Sequence, residues 1–392
     1  MEPRRNPFAP GAGQRPPELA GREAELAGFG VVVDRLSAGR PGRGLMLSGL
    51  RGVGKTVLLG ELRSQAIASG WATGKLEARL DQSLRRPLAT ALFTATRELS
   101  ARRRAADRVR GFWGVLKAFS LTAGPDGGWA FGLDVEASRG RADSGDLEID
   151  LVELFADAAE LAHDHDTGIA LFLDELQDAP PRDLSALCAA VHEMGQSSSP
   201  LVVVGAGLPH LPTVLTAAKS YAERLFTYHL IGRLDRSAAT LALTVPLGRE
   251  GVAVTDDGLD ALLLAADGYP YFLQAYGSAA WDAATLDPIS RDDVLAGVQE
   301  ADAELATGFF GSRWERATTA ERTYLVAMAE LLDGRDGSVA TADLAAHLGR
   351  RTASLSPARD TLRRKGLIYS EQRGSVAFTV PHFARFALHT DA

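Results

Sequence analysis

The stretch Gly44-Leu-Met-Leu-Ser-Gly49-Leu-Arg-Gly-Val-Gly54-Lys55-Thr56 decides the fold. Within it, Gly49-x-x-x-x-Gly54-Lys55-Thr56 has the spacing of a phosphate-binding loop. Leu45-Met46-Leu47 ahead of it reads as a short buried strand, and Val57 to Leu62 behind it as the start of a helix. Glycines let such a loop turn tightly and point its N–H groups at phosphate oxygens, and the helix start adds partial positive charge there. Lys55 is expected on the β- and γ-phosphates of a nucleotide and the Thr56 hydroxyl on Mg²⁺. Gly49, Arg51, Gly52, Val53, Gly54 and Val57 complete the cradle. With five lysines in the chain against 37 arginines, a chance Gly-Lys-Thr at this spacing is rare.

About 120 residues downstream, Ile169-Ala-Leu-Phe-Leu-Asp174-Glu175 is an apolar run that ends in two carboxylates. It reads as a buried parallel strand delivering both acids to the carboxyl edge of a sheet, where ligands of open α/β sheets bind. Asp174 is expected to hold Mg²⁺ through water and Glu175 to polarise an attacking water as general base.

The chain has 392 residues, 46% hydrophobic and 23% charged, enough for two or three domains with cores of their own. A net charge of −8 argues against a protein that coats nucleic acid over its whole surface and leaves local basic patches open. The amino-terminal stretch has no apolar core of a secretory signal, and no apolar run reaches the length of a membrane span. The single cysteine, Cys188, permits no disulfide within the chain and shares a helical pattern with Leu184, Leu187 and Val191. A reducing cytoplasm is the expected location, with no membrane partner.

Residues 1–17 read as an extended lead-in rich in Pro, Gly and Arg. Residues 18–234 read as five strands alternating with helices, which implies a parallel αβα sheet. An alternating pattern near 118–136, across Pro125-Asp-Gly-Gly128, predicts a β-hairpin insertion. The basic run Arg102 to Arg104, with Arg108 and Arg110, reads either as a solvated helix face or as a partner patch. Residues 235–312 read as helical, a second unit packed beside the nucleotide. In residues 313–392, Thr318-x-x-Glu321 predicts a capping box, a second helix runs from Thr341 to Leu348, and a third opens with Ser356 as N-cap and Pro357 at its first position and ends before Gly366. A hairpin over 367–379 follows, which makes a winged helix-turn-helix.

With these residues in place the chain resembles AAA+ ATPases, in the group that holds replication-initiator-like ATPases and signal-transducing STAND ATPases. The resemblance rests on Leu19-Ala-Gly-Arg-Glu23, the phosphate loop, Leu171 to Asp178, Glu223-Arg224-Leu225-Phe226, Gly268-Tyr269-Pro270 and the winged helix. It implies an α/β fold: a five-stranded parallel αβα P-loop core with helical lid and a winged helix, binding ATP and Mg²⁺. Arg224 falls where initiator-like members carry an arginine finger for a neighbour's γ-phosphate, which implies a homo-oligomer. Two departures stand out. Strand 201–204 runs into Gly205-Ala206-Gly207 where relatives place a polar sensor, and no arginine follows Pro270 before Arg291. Slow hydrolysis and a switch role are therefore expected, with a STAND-like regulatory protein that holds nucleotide without turnover as the alternative.

The winged helix divides the partner readings. Arg359 and Arg363 share a face of its third helix, followed by Arg364 and Lys365, with Arg373 on the wing. That set suits DNA. From Arg313 to Arg373 there are eleven basic and eight acidic residues, and docking on its own ATPase core or on a protein partner fits this mild charge equally. His382 reads as structural.

Overall fold

The computed structural model describes residues 1–102, 106–121, 136–138, 140–370, 372 and 374–390. They form two compact units: residues 24–48 with 58–230, and residues 1–23, 49–57 and 231–392.

The first unit is built on five parallel strands: β1 (Gly44–Ser48), β2 (Ala72–Glu77), β3 (Ile169–Asp174), β4 (Leu201–Gly207) and β5 (Phe226–Leu230), in the order β2-β3-β4-β1-β5. Every residue of β1, β3 and β4 is buried, as near-continuous apolar runs covered on both faces require. Side chains of β3 alternate between two cores. Ile169, Leu171 and Leu173 join Leu154, Phe155 and Leu187 in one cluster. Phe172 meets Phe29 edge-on, with ring centroids 6.0 Å apart. The helix Leu147–Asp164 starts where Asp146 accepts the N–H groups of Glu148 and Ile149, and Pro181–Gln196 starts with proline at its first position. Cys188 is fully buried in the core, and the apolar surroundings push its thiol up to about 12.

The expected hairpin at 118–136 is corrected at its first limb. Phe119 to Leu121 close the helix Ala106–Leu121, because Phe112, Val115, Leu116 and Phe119 bury one helical face. Positions 122–135 lie outside the described residues, as do Arg103 and Arg104. Arg108 pairs with Asp164, so at that position the basic run is a salt-bridged surface.

The second unit holds the helices Arg236–Arg249, Asp256–Ala266, Pro270–Ala283 and Arg291–Leu305, capped by Asp235, Thr255 and a Ser290–Asp293 box. The amino-terminal residues run along Pro270–Ala283. Asn6 donates to the Ser278 carbonyl (3.1 Å), Ala9 N–H donates to Gln274 Oε1 (3.2 Å), and Phe8 lies where a Cβ at Gly277 would be 2.8 Å from its ring. Beyond them stand the helices Thr319–Leu331, Thr341–His347 and Ser356–Arg364. Strands β6 (Ser338–Ala340), β7 (Ile368–Tyr369) and β8 (Ser375–Phe378) form a small antiparallel sheet in the order β6-β8-β7. The Thr318–Glu321 capping box is formed. Ser356 is not a cap: a 3₁₀ turn at Thr352–Leu355 feeds straight into the helix and leaves Ser356 already helical.

Candidate nucleotide site

The phosphate loop owes its path to its glycines. Gly52 and Gly54 have φ of 83° and 89°, a region open to glycine. A Cβ at Gly49 would sit 2.2 Å from the Ile231 carbonyl oxygen. Lys55 is 6% exposed and folds back over the loop, donating to the carbonyls of Gly49 and Leu50 at 2.8 Å each. The Arg22 guanidinium, from the Leu19–Glu23 segment, donates to the carbonyls of Val53 (3.2 Å) and Gly232 (2.7 Å) and braces the loop. Two further backbone bonds tie the loop to later parts of its own unit. Tyr271 N–H donates to the Gly52 carbonyl (3.2 Å), and Arg51 N–H donates to the Thr379 carbonyl (2.9 Å). A Cβ at Gly366 would lie 3.3 Å from Arg51 Nη2.

Arg313 was outside the sequence reading, which looked for a lid arginine before Arg291. Its guanidinium lies 4.2 Å from the Phe309 ring centroid, and Phe309 stacks on Tyr271 at 4.7 Å. Burial, with the like charges of Arg51 and Arg316, pushes Arg313 down to about 10. Positive charge gathered near a helix amino terminus favours an anion there. The one signal in the sequence was the mixed aromatic and basic run Phe309-Phe310-Gly-Ser-Arg313-Trp314.

His382 stacks on Phe272 (4.6 Å) and its backbone N–H donates to Asp336 Oδ1 (2.9 Å). Burial lowers its imidazole below the ordinary value. Asp267, Asp336 and His382 bring ligand atoms within 4.8 Å of one another, but Asp267 is paired with Arg233, and Asp336 also accepts from the Tyr269 hydroxyl. His382 thereby fastens the C-terminal segment to the helix Pro270–Ala283.

In the sheet unit, Asp174 ends β3 with 5% exposure, and its Oδ1 accepts the Glu175 N–H at 3.0 Å. Glu175 itself has φ 51° and ψ 37°, a left-handed conformation that non-glycine residues adopt at a cost of about 1–3 kcal/mol. Gln177 was also missed by sequence. Its Nε2 donates to Glu175 Oε2 (2.6 Å), and its Oε1 accepts the Leu208 N–H (2.9 Å) just past β4. Arg224 is exposed in the short helix Ala222–Leu225, directly before β5. It therefore lies at the amino edge of the parallel sheet, whereas Asp174 and Glu175 lie at the carboxyl edge, and the unit does not bring these residues together. There Arg224, Arg35 and Arg43 line a cavity of about 600 Å³. Helices Glu23–Ser37 and Pro181–Gln196 end beside that cavity, and their carboxyl termini favour such cations.

The basic set at the C-terminal end divides. Arg363 and Arg364 are exposed. Arg359 pairs with Asp360 at 3.5 Å and is 27% exposed. Lys365 Nζ lies 2.6 Å from Glu321 Oε2, inside the capping box. Burial raises the Glu321 carboxyl, but the bonds from Lys365 and Thr318 outweigh it and leave it below its ordinary value. Arg373 lies outside the described residues.

Residues 307–387 match a family described as a domain of unknown function. No curated protein matches the sequence. Among solved structures, the Walker-type ATPase of Pyrococcus abyssi shares the fold at 13% identity and TM-score 0.59, over 95% of this chain and 97% of that one. The Aeropyrum pernix ORC1 protein in complex with DNA matches at 17% identity and TM-score 0.46, over 95% and 93% of the chains. The Thermotoga maritima RuvB Holliday junction branch migration motor matches at 16% and 0.45, over 93% and 96%. Residues 18–204 match the family described as AAA ATPase domain, a stretch that holds the phosphate loop and the strands β1, β2 and β3.

Proposed function

We propose that this chain binds ATP with Mg²⁺, hydrolyses it slowly, and uses the bound nucleotide to set the position of its C-terminal region, a winged helix that engages DNA or a protein partner. The observation that carries this reading is the bond from Arg51 N–H in the phosphate loop to the Thr379 carbonyl, 2.9 Å long. A loop that spends one of its own donors on the C-terminal segment passes any change in its contents to that segment. Lys55 and the loop amides hold the phosphates; Thr56 and Asp174, hard oxygen donors suited to Mg²⁺, hold the metal. The metal supplies charge neutralisation along the phosphate chain. Glu175 orients the attacking water. Arg224, exposed at the amino edge of its sheet, serves a second copy of the chain. DNA contact falls to Arg363 and Arg364, with Arg373 on the wing. The reading in which nucleotide is held without turnover is favoured by one observation: β4 ends in Gly205-Ala206-Gly207, with no polar side chain.

The test is equilibrium ATP binding with Mg²⁺, together with phosphate release. Wild type binds and releases slowly, Lys55→Ala does not bind, and Glu175→Gln binds and releases only at a low residual rate. Hydrogen exchange across 366–383 differs between ATP-bound and nucleotide-free protein. A wild-type protein that retains no ATP overturns the whole reading, and one that binds but never exceeds Glu175→Gln in release leaves only the non-hydrolysing alternative.

A further inference from the structure

The end of β4 lacks a polar side chain, yet a polar group stands there. Gln177 leaves the turn after β3 and reaches it with both ends of its amide. Oε1 accepts the buried Leu208 N–H at 2.9 Å, and Nε2 donates to the Glu175 carboxylate at 2.6 Å. Glycine at 207 makes room, because a Cβ there would sit 2.5 Å from Gln177 Oε1. Glu175 is meanwhile held in a left-handed conformation, with its N–H on Asp174. An amide anchored at one end by a backbone donor has a fixed orientation, so its NH₂ fixes one carboxylate oxygen in turn.

We infer that Gln177 is a positioning residue for Glu175, and that it joins the two strand ends β3 and β4 in place of the polar side chain β4 does not have. The inference rests on the proposed role of Glu175 as the residue that orients water. Gln177 fixes the carboxylate by its Oε2, and so sets the direction in which the carboxylate faces. The bare Gly205-Ala206-Gly207 strand end is then a matched part of the arrangement: a side chain at 207 would expel the amide that holds Glu175.

The experiment is a double-mutant cycle on full-length protein, read by phosphate release, ATP affinity and amide exchange. Gln177→Ala is expected to lower kcat by about 10-fold to 100-fold, the range in which misplaced catalytic groups fall, with ATP Kd and KM changed less than about threefold, the signature of an interaction made only in the transition state. In a Glu175→Gln background the same change is expected to have no further effect on kcat, since two residues acting as one unit are not additive. Gly207→Ala is expected to reproduce the Gln177→Ala phenotype. An equal loss from Gln177→Ala in both backgrounds, or a loss confined to KM, overturns the inference while leaving ATP binding and hydrolysis standing. Should wild type release no phosphate, hydrolysis itself is refuted, and the link is then read from exchange alone. Glu175→Ala and Gln177→Ala both speed exchange of the Leu208 amide if the three groups are connected, and an unchanged Leu208 amide in Glu175→Ala overturns the connection.

Discussion

Replacing Lys365 by Met separates a structural lysine from a DNA-contacting one. Its ammonium sits 2.6 Å from Glu321 Oε2, the same oxygen that accepts the Thr318 N–H at 2.7 Å. The Glu321 side chain is 6% exposed and that of Lys365 26% exposed. Removing one partner of a fully buried ion pair costs about 3–5 kcal/mol. Here the lysine is partly hydrated and Glu321 keeps its capping bond, so we expect about 2 kcal/mol, the lower range for a charged hydrogen bond left half-made. For a region of this size that lowers its melting midpoint by roughly 10 °C. The loss is local, and hydrogen exchange over the helix Thr319–Leu331 reports it together with thermal unfolding of the full chain. Changing Glu321 to Gln in the Met variant removes the stranded charge and is expected to recover part of the loss. A phosphate contact predicts a different result: no change in stability, and a slope of DNA affinity against salt reduced by about 1. An unshifted melting curve with a reduced salt slope in Lys365→Met would refute the structural assignment.

Three further outcomes are expected. Gly49→Ala abolishes ATP binding, since its Cβ would lie 2.2 Å from the Ile231 oxygen, whereas Gly60→Ala, with nothing within 4 Å, binds normally and gains roughly 0.5–1 kcal/mol in a urea titration. Arg85→Ala removes the guanidinium whose Nη2 lies 2.8 Å from Asp150 Oδ2, with side-chain exposures of 6% and 0%, and lowers unfolding free energy by about 3–5 kcal/mol. Burial raises the Asp150 carboxyl, but hydrogen bonds from Ser144 and Arg85 outweigh it and hold it below its ordinary value. The stability from that pair is thus fully present above the unfolded carboxyl value of 3.8 and is lost as pH falls through the lower folded value, which wild-type urea midpoints taken from neutral pH downward will show. Arg313→Ala weakens ATP affinity about tenfold by removing one charge-assisted contact, measured by calorimetry; unchanged affinity would mean that Arg313 only packs on Phe309.

How much was legible in the sequence depends on the range of each interaction. The phosphate loop, the strand ending in Asp174-Glu175 and the Thr318–Glu321 box are all fixed by residues a few positions apart. Strand, turn and cap preferences act over that same distance, so the one-dimensional pattern was enough for the parallel core and the helical stretch after it. The segment around Phe119 misled because a short apolar run suits either period, and burial of one helical face beneath Arg85 settled it. Tertiary structure alone decided what the distant residues do. Gln177 finds Leu208 across 31 positions, Lys365 finds Glu321 across 44, and Arg51 donates to a carbonyl more than 300 positions later. Nothing in local sequence marks such partners, because a hydrogen-bonding group is satisfied by whatever the packed chain brings within about 3 Å of it. Local chemistry therefore named the nucleotide loop and its acids, while packing chose the residues that hold them in place.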